Sequence, residues 1–204
     1  MHDLLEERGR LWIVMEMLEA LTLRETVEHL GHLPIRWTAW IGFQLLAGLR
    51  HAHGAGVLHR DIHPGNILLT GERVVLSGFG IAALNGDPSV STTIPISCSP
   101  AYVAPERLRG MPASPAADLW SFGASLYFAV EGRAPYPESD GLSALERVTG
   151  GEPDPRSGPG RSCRFWKGCC GAIRAGASSP TTRRACCRRC SGRKGWWSAH
   201  PSSR

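Results

Sequence analysis

Between His59 and Leu69 the chain reads H-R-D-I-H-P-G-N-I-L-L, a run dense in groups that can do chemistry. Asp61 is a carboxylate able to take a proton, and Arg60 offers a planar fork of donors to an anion. His63 carries an imidazole whose charge changes near neutral pH, and Asn66 presents a carboxamide. Taken alone, the run could also be a chance loop with a satisfied aspartate. A second concentration lies far downstream. Cys163, Cys169, Cys170, Cys186, Cys187 and Cys190 are six of the seven cysteines, and they share residues 155–204 with several Arg pairs. Cys187-x-x-Cys190 could suggest zinc and the Arg pairs a nucleic acid, but both need a folded segment.

Charge divides the chain at the same place. Residues 1–154 hold 11 Arg, no Lys and all 18 acidic residues, a balance of −7, whereas 155–204 hold 12 Arg plus Lys and no acid. The overall +5 therefore belongs to the last stretch and says little about the partners of the rest. A length of 204 residues, 42% hydrophobic and 20% charged, excludes a large multidomain enzyme and whole-chain disorder. No run reaches the ~18 apolar residues that span a bilayer, and the charged start, Met1 to Arg10, is unlike a secretory signal. A cytoplasmic chain without a membrane segment is expected.

The elements that must position the loop follow from periodicity and caps. Arg10 to Leu18 is a β-prone run, and Leu4 and Leu5 across the Glu6–Gly9 turn supply its antiparallel partner. Thr22 with Glu25 is a capping-box pair opening a short helix that ends near Gly31. A longer helix runs from Ile35 to about His53, with Trp37, Ile41, Leu45 and Leu49 at spacing four, and Gly54 and Gly56 stop it. Ile67–Leu69 and Val74–Leu76 read as short strands. Residues 81–105, rich in Ser, Thr and Pro, read as an extended, mobile loop. Ala116 to Glu131 is apolar nearly all round and is expected at the centre of the molecule. Leu142 to Val148 suggests one more helix.

With these elements in place, His59–Leu69 closely resembles the catalytic loop of protein kinases, H-R-D-x-K-P-x-N-I-L-L in the serine/threonine branch. Three further segments follow in the family's order. Ser77-Gly78-Phe79-Gly80 sits at the D-F-G position, Ser99 to Glu106 (S-P-A-Y-V-A-P-E) resembles the peptide-receiving segment, and Asp118 to Gly123 (D-L-W-S-F-G) the central helix. Leu11 to Leu18 is similar to the last small-lobe strand and the hinge, with Met15 as gatekeeper. The Ser-Pro segment and the His63-Pro64 pair place the resemblance with bacterial-type serine/threonine kinases, over about residues 1–152.

The resemblance implies an α+β, protein-kinase-like fold. Residues 1–18 would be a two-strand remnant of the small lobe with the hinge, and 19–154 the mostly helical large lobe. It implies ATP and Mg as cofactors. Asp61 would take or orient the proton of a substrate hydroxyl, Asn66 would bind the metal held by the phosphates, and Arg60 would pair with a phosphorylated activation-loop residue. The backbones of Glu16 and Leu18 would meet adenine, and Asp118 would bond the backbone at His59 and Arg60. Ser91, Thr92 or Thr93 would be regulatory phosphosites, and residues 99–106 would hold a protein substrate or partner. Nucleic acid is not expected.

Several positions depart from a working kinase. The family's Gly-rich loop, its third strand with a phosphate-pairing Lys, and that Lys's Glu-bearing helix have no counterpart in the sequence. His63 stands for the loop Lys, Gly78 for the metal-binding Asp, and Cys98 for the Gly usual before Ser99. The last stretch has a simple account in the genetic code. Phe165 to Arg174 can be encoded by TTC TGG AAG GGC TGC TGC GGC GCG ATC CGG, which one frame over gives L-E-G-L-L-R-R-D-P, the ending expected of a kinase large lobe. Residues 155–204 are thus expected to be a frameshifted, disordered tail, with a zinc module or a basic binding tail as the other readings. A core of Ile41, Leu45, Leu49, Leu119, Phe122, Leu126 and Phe128 is expected, with apolar surface exposed near Phe122, Leu126 and Leu145 for want of the final helices. The function expected is a truncated, inactive serine/threonine kinase copy; the alternative is a pseudokinase serving as a non-catalytic binding module.

Overall fold

A computed structural model describes residues 2–8, 10–79 and 100–136. It begins with an antiparallel hairpin, β1 (Asp3–Glu7) and β2 (Arg10–Val14), in register from Asp3 opposite Val14 to Glu7 opposite Arg10. Residues 15–20 then run without regular structure into β3 (Leu21–Thr22), which opens a second sheet of order β3-β4-β5. Strands β4 (Ile67–Leu69) and β5 (Val74–Leu76) pair antiparallel, and Leu21 faces Leu69.

Helix α1 (Leu23–Leu30) starts where the capping box places it. Thr22 Oγ1 accepts the Glu25 N–H at 3.1 Å, and Glu25 Oε2 accepts the Thr22 N–H at 2.8 Å, satisfying two orphan donors reciprocally. Gly31, at φ 78°, ends the helix. Helix α2 (Ile35–Gly54) follows Pro34 and buries Thr38, Ile41, Gly42, Leu45 and Leu49. A one-turn helix, α3 (Pro105–Leu108), follows a 3-10 turn at Pro100–Tyr102. Helix α4 (Pro115–Glu131) has Ser114 as N-cap, accepting the Ala117 N–H at 3.2 Å, and Gly132 in the left-handed region as its stop.

The core forms where α2 crosses α4. A Cβ on Gly42 would lie 3.0 Å from Leu126 Cδ1, so the missing side chain is what lets the two helices approach. Leu23 and Val27 from α1, Leu33, Ile62, Ile67 and Tyr102 complete one cluster around Leu126 and Phe128. A second seam is tighter. Leu33 N–H donates to Ala129 O at 2.7 Å, and a Cβ on Gly132 would stand 2.0 Å from Gly31 O.

The α+β architecture matches the expectation, as do the hairpin, α1, α2, β4, β5 and the buried central helix. Four details differ. Trp37 is 54% exposed, because a row at spacing four drifts ~40° per step around a helix. Leu119 is only half-buried. Phe122 and Leu126 are 5% and 2% exposed, so the expected bare surface is not there. Finally, β3 and α3 are too short to leave a periodic signal, and α3 begins inside the stretch read as loop. Cys98 and Ser99, the helix expected at Leu142–Val148, Leu145, the phosphosite candidates Ser91, Thr92 and Thr93, and the whole of 155–204 lie outside the described residues.

Candidate functional site

The His59–Asn66 loop is held from below by one buried carboxylate. Asp118, in the first turn of α4, is 3% exposed. Its Oδ2 accepts the His59 N–H at 2.9 Å and its Oδ1 the Arg60 N–H at 2.9 Å, as the sequence led one to expect. Oδ2 also lies 2.8 Å from His53 Nε2, a partner on the last turn of α2 that sequence reasoning missed. Its only sequence signal is a histidine six residues before His59. The double anchor holds Arg60 at φ 73°, a left-handed conformation that costs an ordinary residue ~1–2 kcal/mol.

His59 is fully buried, and its tautomer follows from its partners. A carbonyl only accepts, so Nε2 carries the proton donated to Ser77 O at 2.8 Å, and Nδ1 accepts the Asp61 N–H at 3.2 Å. Burial pushes its pKa below the ordinary histidine value, with the Ser77 carbonyl pulling the other way. The ring also meets Phe79 at 4.4 Å between centroids. His59 thereby ties the loop to the Ser77–Phe79 segment.

Asp61, His63 and Asn66 come together above this base. Asn66 Nδ2 donates to Asp61 O at 2.8 Å and reaches Asp61 Oδ2 at 3.3 Å. His63 caps the 3-10 turn Pro64–Asn66, its Nδ1 accepting the Gly65 N–H at 3.0 Å. That bond leaves the ring proton on Nε2, which stands 3.7 Å from Asp61 Oδ2. Opposite Asn66 stands Gly78, at φ 86°. A Cβ there would lie 3.1 Å from Asn66 Nδ2.

The remaining candidates stand apart from this cluster. Glu16 and Leu18 lie in the irregular 15–20 segment, and Glu16 Oε1 pairs with Arg73 Nη2 at 2.5 Å across an exposed surface. That pair links the segment to the β4–β5 turn, where Thr70 organises the Arg73 backbone. Gln44 on α2, also missed from sequence, accepts the Val74 N–H at 3.0 Å and fixes the same hairpin. Arg60 turns inward, and among the described residues its buried Nε and Nη1 meet no hydrogen-bond acceptor and Glu106 Oε2 meets no donor. Arg107 is buried beside them, donating to Met111 O at 2.7 Å, and burial first, then the Arg60 charge, lowers its pKa.

The family described as "Protein kinase domain" matches residues 1–152. "Serine/threonine-protein kinase PknK" of Mycobacterium tuberculosis (strain ATCC 25618 / H37Rv) is 43% identical over 146 residues, 69% of this chain and 13% of that protein. "Serine/threonine-protein kinase PkaA" of Streptomyces coelicolor is 35% identical over 155 residues, 74% of this chain and 28% of its own length. The chain therefore spans less than a third of either relative.

Proposed function

The chain belongs to the protein kinase family, in its bacterial serine/threonine branch, and from that premise we propose that it keeps the catalytic-loop scaffold but does not transfer phosphoryl groups as written. In this reading residues 1–154 are the kinase unit and 155–204 an unrelated tail. Asp61 keeps the position of the proton-accepting residue, and Asn66 that of a metal ligand. Glu16 and Leu18 keep the adenine-facing backbone positions, and Arg60 that of a phosphate-pairing cation. Residues 99–106 keep the position of the family's segment for a protein substrate or partner. Nucleic acid has no part in this reading, and the compartment it implies is the cytoplasm. Among the described residues no helix is long and apolar enough to cross a membrane.

One observation carries the proposal: Gly78 brings no side chain to the space beside Asn66. Mg prefers oxygen ligands in near-octahedral array, usually carboxylates together with substrate phosphates. Around this loop the donors are Asp61 and the Asn66 carboxamide, whose nitrogen is engaged with Asp61. The residues present do not fit a magnesium–nucleotide clamp. His63 adds a second deficit, because its Nδ1 is committed as an acceptor from Gly65 N–H. Its ring is thereby turned back onto the loop, where the family has the long, flexible side chain of a Lys. Single electrostatic donors contribute about 2.7–4 kcal/mol to a transition state, and two such losses remove most of the catalysis.

The test is transfer of radiolabelled phosphate from Mg-ATP to a generic protein substrate. No transfer above the Asp61→Asn background is expected. Transfer that Asp61→Asn abolishes would overturn the proposal. A second reading, a non-catalytic binding module, is favoured by how firmly the 100–106 segment is held. Ala101 to Pro105 is buried and well supported even though the catalytic groups beside it are incomplete.

A further inference from the structure

Helix α2 is apolar on two sides, and among the described residues only one of them is covered. Thr38, Ile41, Gly42, Leu45 and Leu49 face the core. On the other side, Arg36, Trp40, Phe43, Ala47 and Arg50 recur at i, i+4, i+7, i+11 and i+14, a single stripe, and all five are exposed. Trp40 is 46% and Phe43 74% exposed, and Trp37 flanks them. Helices that are apolar all round are normally buried all round. Contiguous exposed apolar surface on a helix marks an interaction site.

Two features of the stripe say what fits it. One is shape: below Phe43 the side chains shrink to Ala47 and Gly48, and a Cβ on Gly48 would meet nothing within 4 Å. The surface there is open and low beside two projecting aromatic rings, which leaves room for large apolar side chains. The other is charge. Helix α2 contains no acidic residue, and the aromatic stretch is bracketed by Arg36 and Arg50, about 21 Å apart along the axis. A second copy of this helix is a poor occupant, since parallel or antiparallel pairing sets Arg against Arg at both ends.

We propose that the outer face of α2 docks an amphipathic helix of about four turns from another protein, with a carboxylate near each end and large apolar side chains between. This interaction is independent of nucleotide and uses no residue of the catalytic loop, which is tied to α2 only at its last turn, through His53 and Asp118. It holds whether or not the chain transfers phosphate.

The probe is a synthetic amphipathic peptide of about 18 residues, long enough to span both arginines, with Leu on one face and Glu at positions 14 apart. The same peptide with Lys at those positions is its counterpart. With the full chain, the Glu peptide is expected to shift tryptophan emission to the blue and to bind saturably, and the Lys peptide is not. The basic stretch at 155–204 could attract any acidic peptide, so the decisive variants leave it intact. Arg36→Glu with Arg50→Glu is expected to weaken the Glu peptide about tenfold and to admit the Lys peptide. Phe43→Lys, at a residue already exposed, is expected to abolish the emission shift without lowering the thermal midpoint. Binding of the Glu peptide that is unchanged in both variants would overturn the proposal. So would a concentration-dependent dimer that Phe43→Lys disperses, which would make a second copy the occupant.

Discussion

Replacing Asp118 by alanine removes a side chain that touches no surface yet holds the whole catalytic loop. Its carboxylate accepts three donors, the His59 and Arg60 N–H groups and His53 Nε2, at 2.8–2.9 Å. Leaving a buried donor unpaired costs ~1–3 kcal/mol. Two backbone donors would be stranded outright, while His53, on the helix edge, can turn toward water. Part of the loss is returned because Arg60 is no longer forced to stay left-handed. The expected destabilisation is therefore about 3–5 kcal/mol, a large fraction of the ~5–15 kcal/mol that domains possess. Asp118→Asn should fall between, since a carboxamide oxygen can serve one backbone N–H while its NH2 opposes the other. His53→Ala leaves both backbone bonds intact and should cost only about 1–2 kcal/mol. Urea unfolding followed by far-ultraviolet circular dichroism measures all three. A loss below about 1 kcal/mol for Asp118→Ala, or a His53→Ala effect as large as that of Asp118→Ala, would refute the view that this carboxylate anchors the loop through its backbone.

Three other outcomes follow from the geometry. Gly132→Ala puts a Cβ 2.0 Å from Gly31 O at a positive φ, so the α1–α4 seam must open; a loss above about 2 kcal/mol in the same unfolding assay is expected. His59 has a lowered pKa in the folded state, so the unfolded chain takes up its proton first as pH falls. Stability should then decline as pH drops below about 6.5 toward the lowered folded value, and His59→Gln should flatten that decline in a series of melts. Gly78→Asp introduces a carboxylate beside Asn66 at φ 86°, a conformation Asp tolerates better than most residues; it should cost ~1 kcal/mol in stability while increasing Mg-dependent protection of the fold, read as a rise in thermal midpoint with added Mg.

Much of the fold was legible because local chemistry and global packing agree. Thr22 with Glu25, Gly31 and Pro34 each mark a helix end by a mechanism that needs no tertiary contact. The site was legible in its positions, since one short run carries Asp61, His63 and Asn66 together. Its orientation was not. Nothing in the sequence says that His63 faces back onto Gly65 N–H, or that Arg60 folds inward with two donors unmatched among the described residues. The inward turn of Arg60 goes with its left-handed backbone and with Asp118, which lies 58 positions of chain from Arg60 and 65 from His53. Trp37, named in the spacing-four row but not in the expected core, leaves the buried face for a geometric reason. Spacing four looks like one face over two turns and drifts off it over four, and only the buried row shows which end of the series is in register.

The Asp118 anchor also sets a clock. The amides of His59 and Arg60 belong to no helix or strand, and in most loops such hydrogens exchange with solvent through small local openings. Here both hydrogens end on a carboxylate rooted in the first turn of α4, the helix around which the core is assembled. They are released only when that turn comes apart, and the turn has little reason to come apart before the rest does. Two coil amides should therefore exchange on the timescale of the molecule's deepest unfolding unit. The segment that carries Asp61 is thus rigid over times on which its neighbours in coil are not, and its order persists whether or not any reaction is carried out there.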